Sequence, residues 1–142
     1  MNKRVSPIKV VLDTNILVSA LWSKSSNPAQ ILSLVLNDFL TPCHNSQIIT
    51  EYQEVLRRPH LTFHFSQDMV EEIIKKILTD GLSVAVKPSS NSFIDESDRV
   101  FYDVAKACNA RLITGNSKHF PSEPFIFSLS EFLVLMDKEH FF

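Results

Sequence analysis

The sequence predicts an α/β sandwich built on a mostly parallel sheet of about five strands. Three observations predict it. The run Ile8-Lys9-Val10-Val11-Leu12 is almost continuously apolar, the pattern of a strand buried on both faces. Strand-like and helix-like stretches alternate along the chain, as βαβ units require. The 142 residues, 44% hydrophobic and including 11 Phe, suffice for one core in one domain spanning 1–142.

The elements follow in order. After the strand at 8–12, residues 16–21 carry a helical pattern, broken by the polar loop 22–27. Pro28 suits the first turn of a second helix, with Asn27 as its cap, and Ile31, Leu32, Val35 and Leu36 recur at helical spacing. Residues 39–41 read as a short strand closed by Pro42. Ser46 then caps a helix carrying Ile48, Ile49, Tyr52, Val55 and Leu56, which stops before Pro59. Ser66 opens a helix through Leu78, ended by Gly81. A strand at 82–86 and a turn-rich loop at 87–92 follow. Asp95 or Ser97 starts a helix through Cys108. Strands at 111–114 and 125–127 come next, and Ser128 or Ser130 caps a last helix through Met136. The order is β-α-α-β-α-α-β-α-β-β-α.

Composition narrows the function. A net charge of −2 and a pI near 6.2 exclude a protein that coats nucleic acid by charge alone. No run of apolar residues is long enough to span a membrane, and the short apolar stretch at the start is a lead-in to a strand and not a signal peptide. A cytoplasmic location is expected. Cys43 and Cys108 lack the context of a zinc or disulfide pair and read as small buried residues in a reducing compartment. With only two glycines, the chain has no GxGxxG, Walker or GxSxG loop. The five His show no metal spacing; His119 stands apart because of its neighbours.

Three acids carry the chemistry. Asp13 ends the first strand, where sites form in parallel sheets. At about 100° per residue, Glu51 lies at the edge of the buried stripe centred on Tyr52, while Glu54 faces water. On the helix after Asp95, Asp98 lies about 60° from Phe101, inside the buried face, and Asp103 lies round the back. Carboxylates avoid such places unless a positive partner is present. Each has a blander reading: Asp13 as a helix cap, Glu51 as a surface carboxylate, Asp98 as a cap or dipole partner. Together, as oxygen donors without His or Cys, they suit Mg²⁺ or Mn²⁺, ions that activate water for phosphodiester hydrolysis.

Four blocks carry a resemblance. Val10-Val11-Leu12-Asp13-Thr14-Asn15 and the helix after it, the stretch from Ser46 through Glu51 to Arg57-Arg58-Pro59, Asp95-Glu96-Ser97-Asp98 with the helix it opens, and Leu112-Ile113-Thr114-Gly115-Asn116-Ser117-Lys118-His119 occur in that order. Over about residues 8–135 the chain resembles PIN-domain ribonucleases, in particular the toxin components of prokaryotic toxin–antitoxin pairs. The resemblance implies a three-layer α/β/α sandwich, strand order 3-2-1-4-5, and Mg²⁺- or Mn²⁺-dependent cleavage of single-stranded RNA. It makes Asp13, Glu51 and Asp98 the metal-binding acids, with Asp13 and Asp98 direct ligands and Glu51 direct or through water. Thr14, Asn15 and Thr114 become supports of the site. Asn116, counted with Asp13, Glu51 and Asp98 as catalytic, stands where many members carry a fourth Asp; its carbonyl can ligate or hold a metal-bound water, and the lost charge weakens a second metal site, leaving one firmly held ion. Arg57, Arg58, Lys118 and His119 become contacts to RNA phosphate. A protein antitoxin is the implied partner. The tail His140-Phe141-Phe142 suggests a self-association surface in a homodimer or higher oligomer, or simply a cover for the core.

Two rivals remain at this point. A non-catalytic PIN scaffold that binds RNA or a protein fits the missing fourth acid. A receiver-like or haloacid-dehalogenase-type phosphotransfer domain does not fit, because Thr14-Asn15 follow the first acid where those chemistries need further carboxylates.

Overall fold

The computed structural model describes residues 8–139. Five strands, β1 (Lys9–Leu12), β2 (Thr41–His44), β3 (Leu82–Ser83), β4 (Arg111–Thr114) and β5 (Ile126–Ser128), form one sheet in the order β3-β2-β1-β4-β5. All pairings are parallel. The central strands are sealed on both faces: Val10, Val11, Leu112 and Ile113 are fully buried. That is why β1 and β4 read as apolar runs without alternation.

Helices α1 (Thr14–Trp22) and α2 (Asn27–Leu36) join β1 to β2; α3 (Ser46–Leu56), α4 (Pro59–Thr62) and α5 (Gln67–Asp80) join β2 to β3. A 3₁₀ turn (Glu96–Asp98) and α6 (Arg99–Cys108) lead from β3 to β4, and α7 (Leu129–Lys138) follows β5. The chain leaves β1 toward one edge of the sheet and returns from β3 to β4 across it. Right-handed crossovers then place α6 on the face opposite α1 and α2. Accordingly α6 packs on β1, β2 and β4, while α7 packs against α2. The direction of winding changes between β1 and β4, and ligands gather at such points in open α/β sheets.

Several boundaries differ from the sequence reading, each for a local reason. Ser26, not Asn27, caps α2, accepting from the Ala29 N–H at 3.3 Å. Asn45, not Ser46, caps α3, accepting from the Ile48 N–H at 2.9 Å. The expected strand at 39–41 is β2 at Thr41–His44, and Pro42 lies inside it. The Thr41 N–H points to β1, donating to the Ile8 carbonyl at 3.0 Å. Successive N–H groups point to opposite edges, so the one Pro42 lacks would point toward β3, which begins pairing only at Cys43. The strand expected at 82–86 is only two residues long. The short α4 was not anticipated.

Gly81 ends α5 with extended backbone (φ −86°), so no left-handed turn is needed there. Its role is close approach: a Cβ would sit 2.4 Å from the carbonyl oxygens of Ile77 and Pro42. Ser128 and Glu131 form a reciprocal capping box at the start of α7. Cys43 and Cys108 are buried and free, as the sequence suggests. His44 is buried, and burial holds its imidazole below the usual range and therefore neutral. The suggested surface at His140-Phe141-Phe142 lies outside the described residues. Among those residues no helix is long and apolar enough to cross a membrane.

Candidate acidic site

Asp13 follows the last residue of β1 and stands at the formal cap of α1. Its side chain makes no capping hydrogen bond. Instead Oδ2 accepts from the Thr114 hydroxyl at 2.8 Å, across from the end of β4. The same hydroxyl oxygen accepts the Asn116 N–H at 3.0 Å, so its proton is directed at Asp13. Asp13 is 7% exposed. Burial raises its pKa, while Thr114, the backbone N–H groups of Thr14 and Asn15, and His119 pull it back. Asn15 is itself exposed, so its part here is played by backbone.

Glu51 lies half-buried on α3, and its Oε2 accepts from the buried Thr14 hydroxyl. Beside it, the Tyr52 hydroxyl donates to the Leu12 carbonyl, tying α3 to the end of β1. Burial raises the pKa of Glu51. Thr14 opposes that, Asp13 and Asp95 push further up, and Arg58 pulls back. Glu54, one turn on, is exposed as expected.

Asp98 ends the 3₁₀ turn before α6 and, like Asp13, makes no capping hydrogen bond. Its side chain is 14% exposed, and its nearest partner is His119 Nδ1, 3.9 Å from Oδ2. Burial, reinforced by the negative charges of Asp13 and Asp95, lifts its pKa to about 6. The three acids therefore share one electrostatic field. Among the described residues, though, no three His, Cys, Asp or Glu side chains are drawn tightly enough together to hold a metal ion as they stand.

The structure brings Thr14, Thr114, Arg58 and His119 to this cluster. Asn116 contributes a backbone N–H, its side chain being exposed. Arg57 and Lys118 are exposed and contact none of the acids among the described residues. Two findings depart from the sequence reading. Asp103 does not face water: it is buried, and Oδ2 accepts the Ser89 N–H at 3.1 Å. The helical wheel correctly turned it from the core, but the loop after β3 folds over that side of α6. Asp95 was missed as a member of the cluster. It caps the 3₁₀ turn, accepting from the Ser97 N–H at 3.0 Å, and its charge acts on both Glu51 and Asp98. The signal was the spacing Asp95-x-x-Asp98, which puts two acids on one short turn. Glu123, the next acid after Asn116, accepts instead from the Tyr102 hydroxyl at 3.1 Å.

Comparison with known proteins places the chain and its fold. The PIN-domain family profile matches residues 9–118. The chain is 34% identical to protein MJ1680 of Methanocaldococcus jannaschii, itself uncharacterized, over 113 residues that cover 77% of this chain and 71% of that protein. Its fold is similar to one chain in the crystal structure of VapBC2 from Rickettsia felis bound to a DNA fragment from its promoter. That match has a TM-score of 0.54 and 18% identity, covering 85% of this chain and 98% of the other.

Proposed function

The chain belongs to the PIN-domain family, and from that premise we propose that it is a metal-dependent endoribonuclease for single-stranded RNA, acting as the toxin of a toxin–antitoxin pair. The observation that carries this reading is the set Asp13, Glu51 and Asp98. They come from three separate elements, and each is held at a pKa above that of a free carboxylate. Acids in that state are stabilised by a cation.

The donor set fits Mg²⁺ or Mn²⁺. Its donors are carboxylate oxygens, and Asp98 takes no hydrogen bond among the described residues, leaving its lone pairs for an ion. Asp13 and Asp98 would hold the ion, with Glu51 binding directly or through water. When bound, such an ion lowers the pKa of water and offsets phosphate charge. The remaining work falls to the chain. Thr114 fixes the Asp13 carboxylate, and Thr14 fixes Glu51. His119 lies on the Asp98 side and Arg58 on the Glu51 side, where each can meet a phosphate oxygen. Arg57 and Lys118 would contact RNA further out.

An antitoxin partner is part of the same proposal. VapBC2, the structural neighbour, is bound to promoter DNA. Here, an apolar groove of about 430 Å³ between α1, α2 and α5, lined by Leu21, Leu32, Leu36 and Met69, supports a protein partner. One observation favours the non-catalytic alternative: Asn116, and not an acid, stands two residues after Thr114.

Calorimetry with Mn²⁺ and Mg²⁺ on the wild type and on Asp13→Asn/Asp98→Asn decides the first step, and a cleavage assay on single-stranded RNA the second. The proposal expects binding that vanishes in the double variant with circular dichroism unchanged, and cleavage that vanishes with it. Binding without cleavage of any RNA would leave the scaffold reading in its place.

A further inference from the structure

A cavity of about 830 Å³ opens beside the acidic site. Its size falls within the roughly 300–1,000 Å³ typical of sites that enclose small ligands. Glu51 lines it as well as belonging to the cluster, whereas Asp13 and Asp98 are not part of its wall. The loop after β3 supplies one side through Val84, Val86 and Pro88, and the start of α3 supplies Gln47.

Its charge is wrong for phosphate. Glu51, Glu96 and Asp103 line it, against the single cation Arg99. Arg99 is already committed. Its Nε and Nη2 donate to both carboxylate oxygens of Glu96 at 2.8 Å, Nη1 donates to the Ser89 carbonyl, and the guanidinium lies 4.7 Å from the centre of the Phe93 ring. No positive charge is left to meet a second phosphate. What the cavity offers instead is aliphatic surface for the faces of a flat ring and, from Asn45, Ser46 and Gln47, side chains that both donate and accept at its edge. Bases taken out of a stack are held in that way, between apolar side chains and polar groups that read the edge.

We propose that this cavity seats an unpaired nucleobase of the RNA whose phosphate lies at the acidic cluster. The assignment rests on the nuclease reading for the identity of the ligand, but it can be tested without turnover. Single-stranded hexanucleotides, each abasic at one position, are titrated by fluorescence anisotropy in Ca²⁺ against the wild type, Gln47→Ala and Ala85→Trp. Ala85 is an exposed residue of the cavity wall, so the Trp fills the space without touching Asp13 or Asp98.

In the wild type, one abasic position is expected to weaken binding about tenfold. In Ala85→Trp the same position ceases to matter, and in Gln47→Ala its effect shrinks. Equal sensitivity in wild type and Ala85→Trp, or no sensitive position at all, overturns the proposal. Cleavage in Mn²⁺ is scored separately on the same oligonucleotides. Base-sensitive binding without cleavage sinks the nuclease reading and leaves the cavity assignment standing; cleavage without base sensitivity does the reverse.

Discussion

Single carboxylates show how function opposes stability here. Asp98, Asp13 and Glu51 all have folded-state pKa values raised above their ordinary ones. A group so shifted favours folding while protonated, and that contribution is lost as pH rises through the folded value. For Asp98 the loss falls between about pH 4, the unfolded value, and about 6. Asp98→Asn should therefore stabilise the ion-free protein by about 1–2 kcal/mol at pH 8, after allowing for solvent screening at the rim. It should have little effect at pH 4; urea denaturation at the two pH values measures the difference. Thr114 supplies a second residue-scale expectation. Its hydroxyl aims Asp13, so Thr114→Val should weaken Mn²⁺ binding by about tenfold or more, with Thr114→Ser retaining most of it, as calorimetry would show. At this scale Asp13, Glu51 and Asp98 were legible because each breaks an apolar pattern. The burial of Asp103 was not legible, because periodicity places a residue relative to the core of its own helix and carries no information about a loop that later covers the other side.

Among the elements, the loop after β3 depends on α6. Asp103 accepts from the Ser89 N–H while Arg99 donates to the Ser89 carbonyl, so one peptide segment is clamped at both polar groups. Asp103→Ala should cost about 1–3 kcal/mol and speed amide exchange at Ser89 and its neighbours, measured by hydrogen–deuterium exchange. Unchanged protection there would show that the clamp is not what orders the loop. At the other end of the sheet, Gly81→Ala should destabilise by about 1–3 kcal/mol, read by thermal or urea unfolding, because its Cβ would meet two backbone carbonyls. Gly115→Ala, with open space around it, should not. The long helices were legible through apolar runs at helical spacing, and the strand order through the resemblance alone. The register of β2 was not. Pro42 looked like a terminator, and only the late start of β3 makes it acceptable inside a strand.

For the molecule as a whole, the proposed ion site would link metal, protons and folding. An ion at 100 times its dissociation constant should raise stability by about 2.7 kcal/mol. The rise in melting temperature with Mn²⁺ should be larger at pH 8 than at pH 5, because Asp98 must give up its proton to bind. An equal shift at both pH values would place the ion elsewhere. Which RNA and which protein partner the proposed function would involve was not legible, because both depend on surfaces whose composition follows no periodicity.

The hydrogen bond between Thr114 and Asp13 spans 101 positions of the chain. During synthesis, β1 and its acid leave the ribosome long before β4 exists to pair with them. The acidic group thus cannot be completed on a half-made chain, and a product truncated before residue 111 lacks the strand that orients Asp13. On the proposed nuclease reading, only finished molecules would be active, and a co-produced partner would have the whole interval of translation in which to be present.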